Sequence, residues 1–211
     1  MNQEDIRITQ QRYRERYQTF GYSPKTLGWG KNGRQELRFS ILTQVGDLNG
    51  KTVLDVGCGF GDLYGFLKTK GWFGSYIGID FVDELIQEGK KRYPDAEFII
   101  GDFENIVIEQ KIDYIISSGM FNFRLETEDN WTYIDRMLRK MLAIASNAVA
   151  VDFMTSWVDY QHPIAFHADP CLLLQKISQL TRRFVIRGDY MPYEYSLYLY
   201  DDKQINSDNT Y

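Results

Sequence analysis

The residues best equipped for chemistry stand at the ends of short apolar runs. Val53 to Gly61 reads VLDVGCGFG, so Gly57, Gly59 and Gly61 close an apolar run and open a helical pattern. Glycines there allow a sharp turn and a close approach of ligand to backbone, with a helix N-terminus aimed at it. The spacing is G-x-G-x-G; the dinucleotide fingerprint G-x-G-x-x-G needs glycine where Asp62 stands. Asp55 and Asp62 flank the turn. A pyrophosphate beside them would be repelled by roughly 4 kcal/mol per unit-charge pair at about 4 Å and an effective dielectric near 20, whereas a cationic ligand would be attracted. The next run, SYIGID, ends at Asp80, where an acidic residue at this distance from the glycines grips ribose hydroxyls. A third run ends in Gly101-Asp102-Phe103, a carboxylate able to accept from an adenine amino group beside a ring that can pack near the base.

In this order, VLDVGCGFG, GIDF and GDF resemble the class I S-adenosylmethionine-dependent methyltransferases, Rossmann-like and of small-molecule type. The motifs cover residues 51–122. The resemblance implies S-adenosyl-L-methionine as methyl donor, S-adenosyl-L-homocysteine as product and a small-molecule acceptor methylated at N or O. It implies that Asp55 supports the methionine ammonium, Asp80 binds the ribose and Asp102 contacts the adenine. Gly57, Cys58, Gly59, Gly61, Asp62, Phe81, Phe103, Ser118 and Gly119 complete the expected cofactor cradle.

The fourth run ends in SSGMFNF, residues 117–123, where the family brings the methionine end of the cofactor to the acceptor. Small residues permit close approach, and Phe121 or Phe123 can offer a π-face to a cation, worth about 0.5–2 kcal/mol. The Asn/Asp-Pro-Pro-Tyr/Phe segment of nucleic-acid amino methyltransferases is absent, which counts against a base as acceptor. A long stretch after the fifth run, residues 155–169, holds both histidines. With ordinary pKa values near 6.5, His162 and His167 can take a proton released on methylation. These two and Asp159 are the expected catalytic residues. Trp29, Met120, Phe121, Asn122 and Tyr160 are the expected acceptor contacts. Asp152, Asp159, Asp169 and Glu194 make a cationic amine or guanidine metabolite the expected acceptor. Asp152, Asp159, His162, His167 and Asp169 have no helical or C-x-x-C spacing, so no metal is expected. Two other readings stay open: a catalytically inactive relative that binds the nucleoside, and a nicotinamide-dependent oxidoreductase.

Positioning these residues requires a particular order of elements. From Lys51 onward, β-rich runs at 52–57, 75–80, 96–102, 112–118, 148–154, 184–190 and 193–200 alternate with helical patterns at 61–70, 83–92, 128–145 and 170–181. This predicts an α/β fold, a doubly wound seven-stranded mixed sheet. Only Met191 and Pro192 separate the last two runs, too few for a parallel crossover, so the last strand is antiparallel. Residues 1–50 have no place in that sheet and predict an N-terminal helical lid. Its first helix spans about 4–19 with Ile6, Tyr13, Tyr17 and Phe20 inward, and a second turns Leu37, Ile41, Leu42 and Val45 inward. Tyr13, Tyr17, Tyr22 and Trp29 are expected to line the acceptor pocket, and Arg38 to pair with a carboxylate of cofactor or substrate. The resulting division is 1–50 lid, 51–201 Rossmann-like methyltransferase domain and 202–211 flexible tail.

The composition supports one such domain. The 211 residues are 44% hydrophobic and 25% charged, enough to build a core under an ordinary wet surface. The formal net charge is -5, and residues 1–50 are net basic, so the rest is more acidic than the whole. An acidic body argues against wide nucleic-acid binding. No apolar run is long enough for a membrane span, and the chain begins without an apolar signal core, which predicts a cytoplasmic protein. Cys58 and Cys171 are too few for a disulfide framework or a four-thiolate zinc site.

Overall fold

A computed structural model describes residues 1–29 and 34–202. In chain order the elements are α1 (Gln3–Phe20), α2 (Arg34–Leu42), a single 3-10 turn (Thr43–Val45), β1 (Lys51–Val56), α3 (Asp62–Thr69), β2 (Gly74–Asp80) and α4 (Asp83–Arg92). There follow β3 (Glu97–Ile100), β4 (Ile112–Ser117), α5 (Asn130–Ile144), β5 (Ala145–Met154), α6 (Pro170–Ile177), β6 (Arg183–Arg187) and β7 (Glu194–Tyr200). The seven strands form one sheet in the order β3-β2-β1-β4-β5-β7-β6. β3, β2, β1, β4 and β5 run parallel, while β7 inserts between β5 and β6 antiparallel to both. The expected mixed sheet with its terminal antiparallel strand is therefore present.

Alternation along the strands decides which helix covers which face. On β1, Val53 turns toward α2 and α3, where Phe39, Leu42, Leu63 and Leu67 are buried with it. Leu54 and Val56 turn the other way, onto Ile134, Met137 and Leu138 of α5 and Leu173 of α6. Asp129 starts α5 by accepting from the Thr132 backbone N–H, and Tyr133, Ile134, Met137, Leu138 and Met141 form its buried stripe. The sheet reverses direction between β1 and β4, where a crevice opens at the carboxyl ends of parallel strands.

The two lid helices differ from expectation in what they turn inward. α1 buries Asp5 and Thr9, whereas Phe20 is exposed. α2 buries Arg38 and Phe39 alongside Ile41 and Leu42, and Leu37 faces out. α1 spans a cavity rather than a continuous apolar core, so polar Thr9 and Arg16 turn in beside Tyr13 and Tyr17, which pack as expected against Phe60, Val82 and Leu85. The Asp5 carboxylate pins its start by accepting from Glu126 N–H and from the Thr127 N–H and hydroxyl. Farther along, Gln10 donates to the Phe81 carbonyl and Arg14 pairs with Glu84. The expected tail, 202–211, lies outside the described residues apart from Asp202, which accepts from Thr181 and Arg182.

Candidate active site

A cavity of about 460 Å³ lies where β1, β2, β3 and β4 end, roofed by α1, the 27–29 turn and α2. At its floor β1 stops at Val56 and the chain turns back so that Gly57 and Cys58 N–H groups both donate to the Ile79 carbonyl. Gly59 adopts φ 56°, a left-handed conformation that glycine takes without strain. Its N–H donates to Asp80 Oδ2 at 2.9 Å, while Asp80 Oδ1 accepts from Val82 N–H at 2.8 Å. One carboxylate thus clamps the glycine turn to the start of α4, with lone pairs left to face the cavity. Burial pushes its pKa up, and the backbone N–H groups of Val82, Gly59 and Phe81 oppose that rise.

Asp55 and Asp102 complete the anionic wall. Asp55 is buried and accepts from the Tyr76 hydroxyl at 2.7 Å. Asp102 accepts from the Glu104 N–H and the Asn105 amide, and Lys140 fixes that loop by donating to the carbonyls of Phe103, Glu104 and Ile106. Three carboxylates along one wall suit a ligand bearing hydroxyl or amino donors and positive charge. They do not suit a pyrophosphate.

Of the sequence-predicted cofactor residues, Asp55, Gly57, Cys58, Gly59, Asp80, Phe81, Asp102, Phe103, Ser118 and Gly119 line this cavity. Gly61 and Asp62 do not. Gly61 caps α3, and the Phe98 ring occupies the space a Cβ would need. Asp62 accepts from the Tyr22 hydroxyl and the Gln35 amide, so it ties the lid to α3.

At the other end, Trp29, Met120, Phe121 and Asn122 line the cavity, and Tyr160 stands exposed outside it. Phe121 is buried and stacks on Phe153 at 5.2 Å, which stacks on Tyr195. It is therefore a packed wall rather than a free π-face. The predicted catalytic trio does not assemble, because the 155–169 stretch folds back on bridges between Phe123 and Ala165 and between Thr155 and Ala168. His162 lines the cavity, whereas Asp159 is exposed outside it. His167 is buried elsewhere, its Nδ1 donating to the Thr155 carbonyl at 2.8 Å, and its Nε2 has no partner among the described residues. No group of three or more potential metal ligands converges among the described residues.

The lid contributes Thr9, Tyr13 and Arg16, which share one face of α1 at helical spacing and line the cavity together with Arg34 and Arg38. Tyr17 and Tyr22 instead reach Glu88 and Asp62. Arg38 is buried, sits 4.2 Å over the Trp29 ring and binds Glu194 of β7 through two hydrogen bonds. Its carboxylate partner is thus a residue of the protein.

Of the four acids expected to attract a cationic acceptor, Asp159 lies exposed outside the cavity and the other three are engaged. Asp152 accepts from the Ser118 hydroxyl at 2.6 Å and the Gly119 N–H at 2.7 Å, Asp169 caps α6, and Glu194 holds Arg38. The charge argument for a cationic acceptor is corrected by this geometry. Sequence reasoning missed Arg16, Arg34 and Tyr133 as cavity residues; the Thr9, Tyr13, Arg16 spacing and the four-residue step from Arg34 to Arg38 were the signals available.

Comparisons with known proteins agree on one family. A family model described as "Methyltransferase domain" matches residues 53–160. The chain is 28% identical over 154 residues to a provisionally named methyltransferase, Rv1506c, of Mycobacterium tuberculosis, covering 69% of this chain and 90% of the relative. It is 25% identical over 122 residues to the trans-aconitate 2-methyltransferase of Escherichia coli, covering 58% of this chain and 46% of that protein. The chain spans less than half the length of this relative and of two other curated ones. Its fold matches the structure of magnesium protoporphyrin IX methyltransferase from Synechocystis with bound S-adenosylmethionine, at a TM-score of 0.63 and 16% identity, covering 92% of this chain and 95% of that one.

Proposed function

The chain belongs to the methyltransferase-domain family, and on that premise we propose that it methylates an N or O atom of a small-molecule acceptor by in-line displacement. S-adenosylmethionine is the methyl donor. The observation that carries the reading is the Asp80 carboxylate, held by Gly59 and Val82 at the floor of a three-carboxylate wall. What the donor supplies is a methyl group on a sulfonium sulfur; the protein supplies placement and exclusion of water. In our assignment Asp80 accepts from the ribose hydroxyls, Asp102 from the adenine amino group, and Asp55 faces the methionine ammonium. Ser118 and Gly119, fixed from behind by Asp152, present a small surface where acceptor and methyl group meet. Holding two reactants in line can supply about 7–11 kcal/mol.

Residues 1–50 act in this reading as a lid and 51–201 as the catalytic domain. The relative named for trans-aconitate supports a small-molecule acceptor. Among the described residues no helix is long and apolar enough to cross a membrane, and both cysteines are free thiols. We take the protein to work in the cytoplasm without nucleic acid as partner. Supplying donor with a tritium-labelled methyl group to a deproteinised cell extract should move label into small molecules in proportion to enzyme. Saturable S-adenosylhomocysteine binding with no label moved would instead identify a nucleoside-binding relative without transferase activity.

Asp55 sets the expected pH dependence. Burial raises its pKa from 3.8 to about 7, against the opposing hydrogen bond from Tyr76, with Asp80 and Asp62 adding to the rise. Because the folded value lies above the unfolded one, this group's contribution to stability is complete below pH 3.8 and is lost as pH rises to about 7. The ammonium of the guest favours the ionised carboxylate, so binding releases a proton below that pH. S-adenosylhomocysteine affinity should therefore rise by up to roughly tenfold per pH unit toward neutrality and then level off. Calorimetry across that range checks this, and Asp55→Asn should flatten the profile. A flat wild-type profile contradicts it.

A further inference from the structure

Resting on the transferase reading, we infer that the acceptor is a carboxylate-bearing anion, held at the lid end of the cavity by Arg16 and Arg34. The argument is an inventory of donors and acceptors around Trp29. Arg16 packs its guanidinium against Gly28, where a Cβ would come within 2.8 Å of it. Arg38 covers the Trp29 ring, and Arg34 stands one helical turn before it on the same cavity wall. Arg38 is matched by Glu194. Arg16 and Arg34 have neither an ion-pair nor a hydrogen-bond partner among the described residues, although both line the cavity.

Other donors point the same way. Trp29 Nε1 is buried without a partner, and a buried N–H left unpaired costs about 1–3 kcal/mol unless a ligand supplies an acceptor. Asn122 spends its carbonyl oxygen on the Met154 N–H. Its amide nitrogen lies beside the Trp29–Gly119 contact and has no partner among the described residues. On the acceptor side, Glu194 is taken by Arg38, and Asp152 behind it is committed to Ser118 and Gly119. Asp55, Asp80 and Asp102 line the cradle end of the same cavity, so the case for an anion rests on the donors gathered around Trp29: Arg16, Arg34, the Trp29 Nε1 and the Asn122 amide. A guest rich in lone pairs and negative charge fits this end, and planar guanidinium groups match carboxylates in geometry.

The chemistry balances without a base. A carboxylate oxygen lone pair forms the new O–C bond while the C–S bond breaks with its pair going to sulfur. The negative charge of the acceptor and the positive charge of the sulfonium cancel, giving a methyl ester and a thioether, and no proton is released. His167 and Asp159 do not reach the cavity, and His162, which lines it, has no proton to take in this step.

The same charge chemistry has two sources, since the cofactor also carries a carboxylate, and the test separates them. Calorimetry with R16Q and R34Q should give S-adenosylhomocysteine dissociation constants within about twofold of wild type, because the arginines serve the acceptor. A tenfold or greater loss for S-adenosylhomocysteine, with 5′-methylthioadenosine unaffected, assigns them to the cofactor carboxylate and overturns the inference. In parallel, the cell extract is split on ion exchangers into anionic, neutral and cationic pools and each is offered with labelled donor. Label should enter the anionic pool as a base-labile methyl ester, and each variant should raise the KM for that pool by about tenfold or more. Label confined to the cationic or neutral pool overturns the inference while leaving the transferase reading standing. Label in no pool removes both.

Discussion

Asp80→Asn is expected to weaken S-adenosylhomocysteine binding by about 100-fold or more. The carboxylate holds Gly59 N–H and Val82 N–H with its two oxygens and offers its remaining lone pairs to the cavity. Asparagine keeps one oxygen and turns an amide N–H₂ toward one of those backbone donors, so one buried N–H loses its partner and any hydroxyl of the guest meets a donor. Charge-assisted hydrogen bonds contribute about 1.5–3 kcal/mol each, and two of them account for the expected loss. Stability should fall less, by about 1–3 kcal/mol, the cost of one orphaned N–H. Glu84→Gln, which alters a half-exposed partner of Arg14 nearby, is the control and should leave binding within about twofold. Equal affinities of wild type and Asp80→Asn, measured by calorimetry, would remove Asp80 from the ligand's contacts.

The largest effect on stability is expected at the lid anchor. Arg38 and Glu194 are 6% and 9% exposed, paired across 156 positions of chain, and join α2 to β7. Glu194→Gln removes the negative charge and leaves a buried guanidinium that, among the described residues, has Asp152 to attract it, a loss of about 3–5 kcal/mol. Replacing both partners, Arg38→Met with Glu194→Leu, removes the uncompensated charge and should recover most of that loss. Urea unfolding of the three variants separates these cases. A Glu194→Gln cost under about 1 kcal/mol would mean that the pair is wet and that α2 is held by Phe39, Ile41 and Leu42 alone.

These two residues also mark the boundary of what the sequence makes legible. Asp80 is readable because the glycine turn, the strand after it and the acidic strand end form one local unit whose spacing has a physical cause. The same is true of the order of strands, and of the last strand's direction, which follows from a connection too short to cross over. Boundaries drift most at the end of α6, expected to reach 181 and ending at Ile177, and at the start of β5, which follows α5 directly at Ala145 rather than at the expected 148.

The acceptor end is less legible because its meaning lies in long-range pairing. Arg38 and Glu194 read separately as an available cation and an available anion; together they cancel. Asp152 reads as a mouth carboxylate, yet two donors from the β4 end consume it. α1 misleads through its own pattern. Its apolar residues suggest an inward face, but the helix covers a cavity, so Thr9 and Arg16 turn in and Phe20 stays wet. A periodicity rule assumes that the inside is apolar. Over a ligand site that assumption fails.

The central claim is that the carboxylate wall binds an amino-acid-bearing nucleoside through its hydroxyl, amino and ammonium donors rather than a phosphorylated coenzyme. The most direct test is calorimetric titration of the protein with S-adenosylhomocysteine and, separately, with NAD. The account predicts saturable heat from S-adenosylhomocysteine at one site per chain, lost in Asp80→Asn, and none from NAD. Saturation by NAD with no heat from S-adenosylhomocysteine would contradict it.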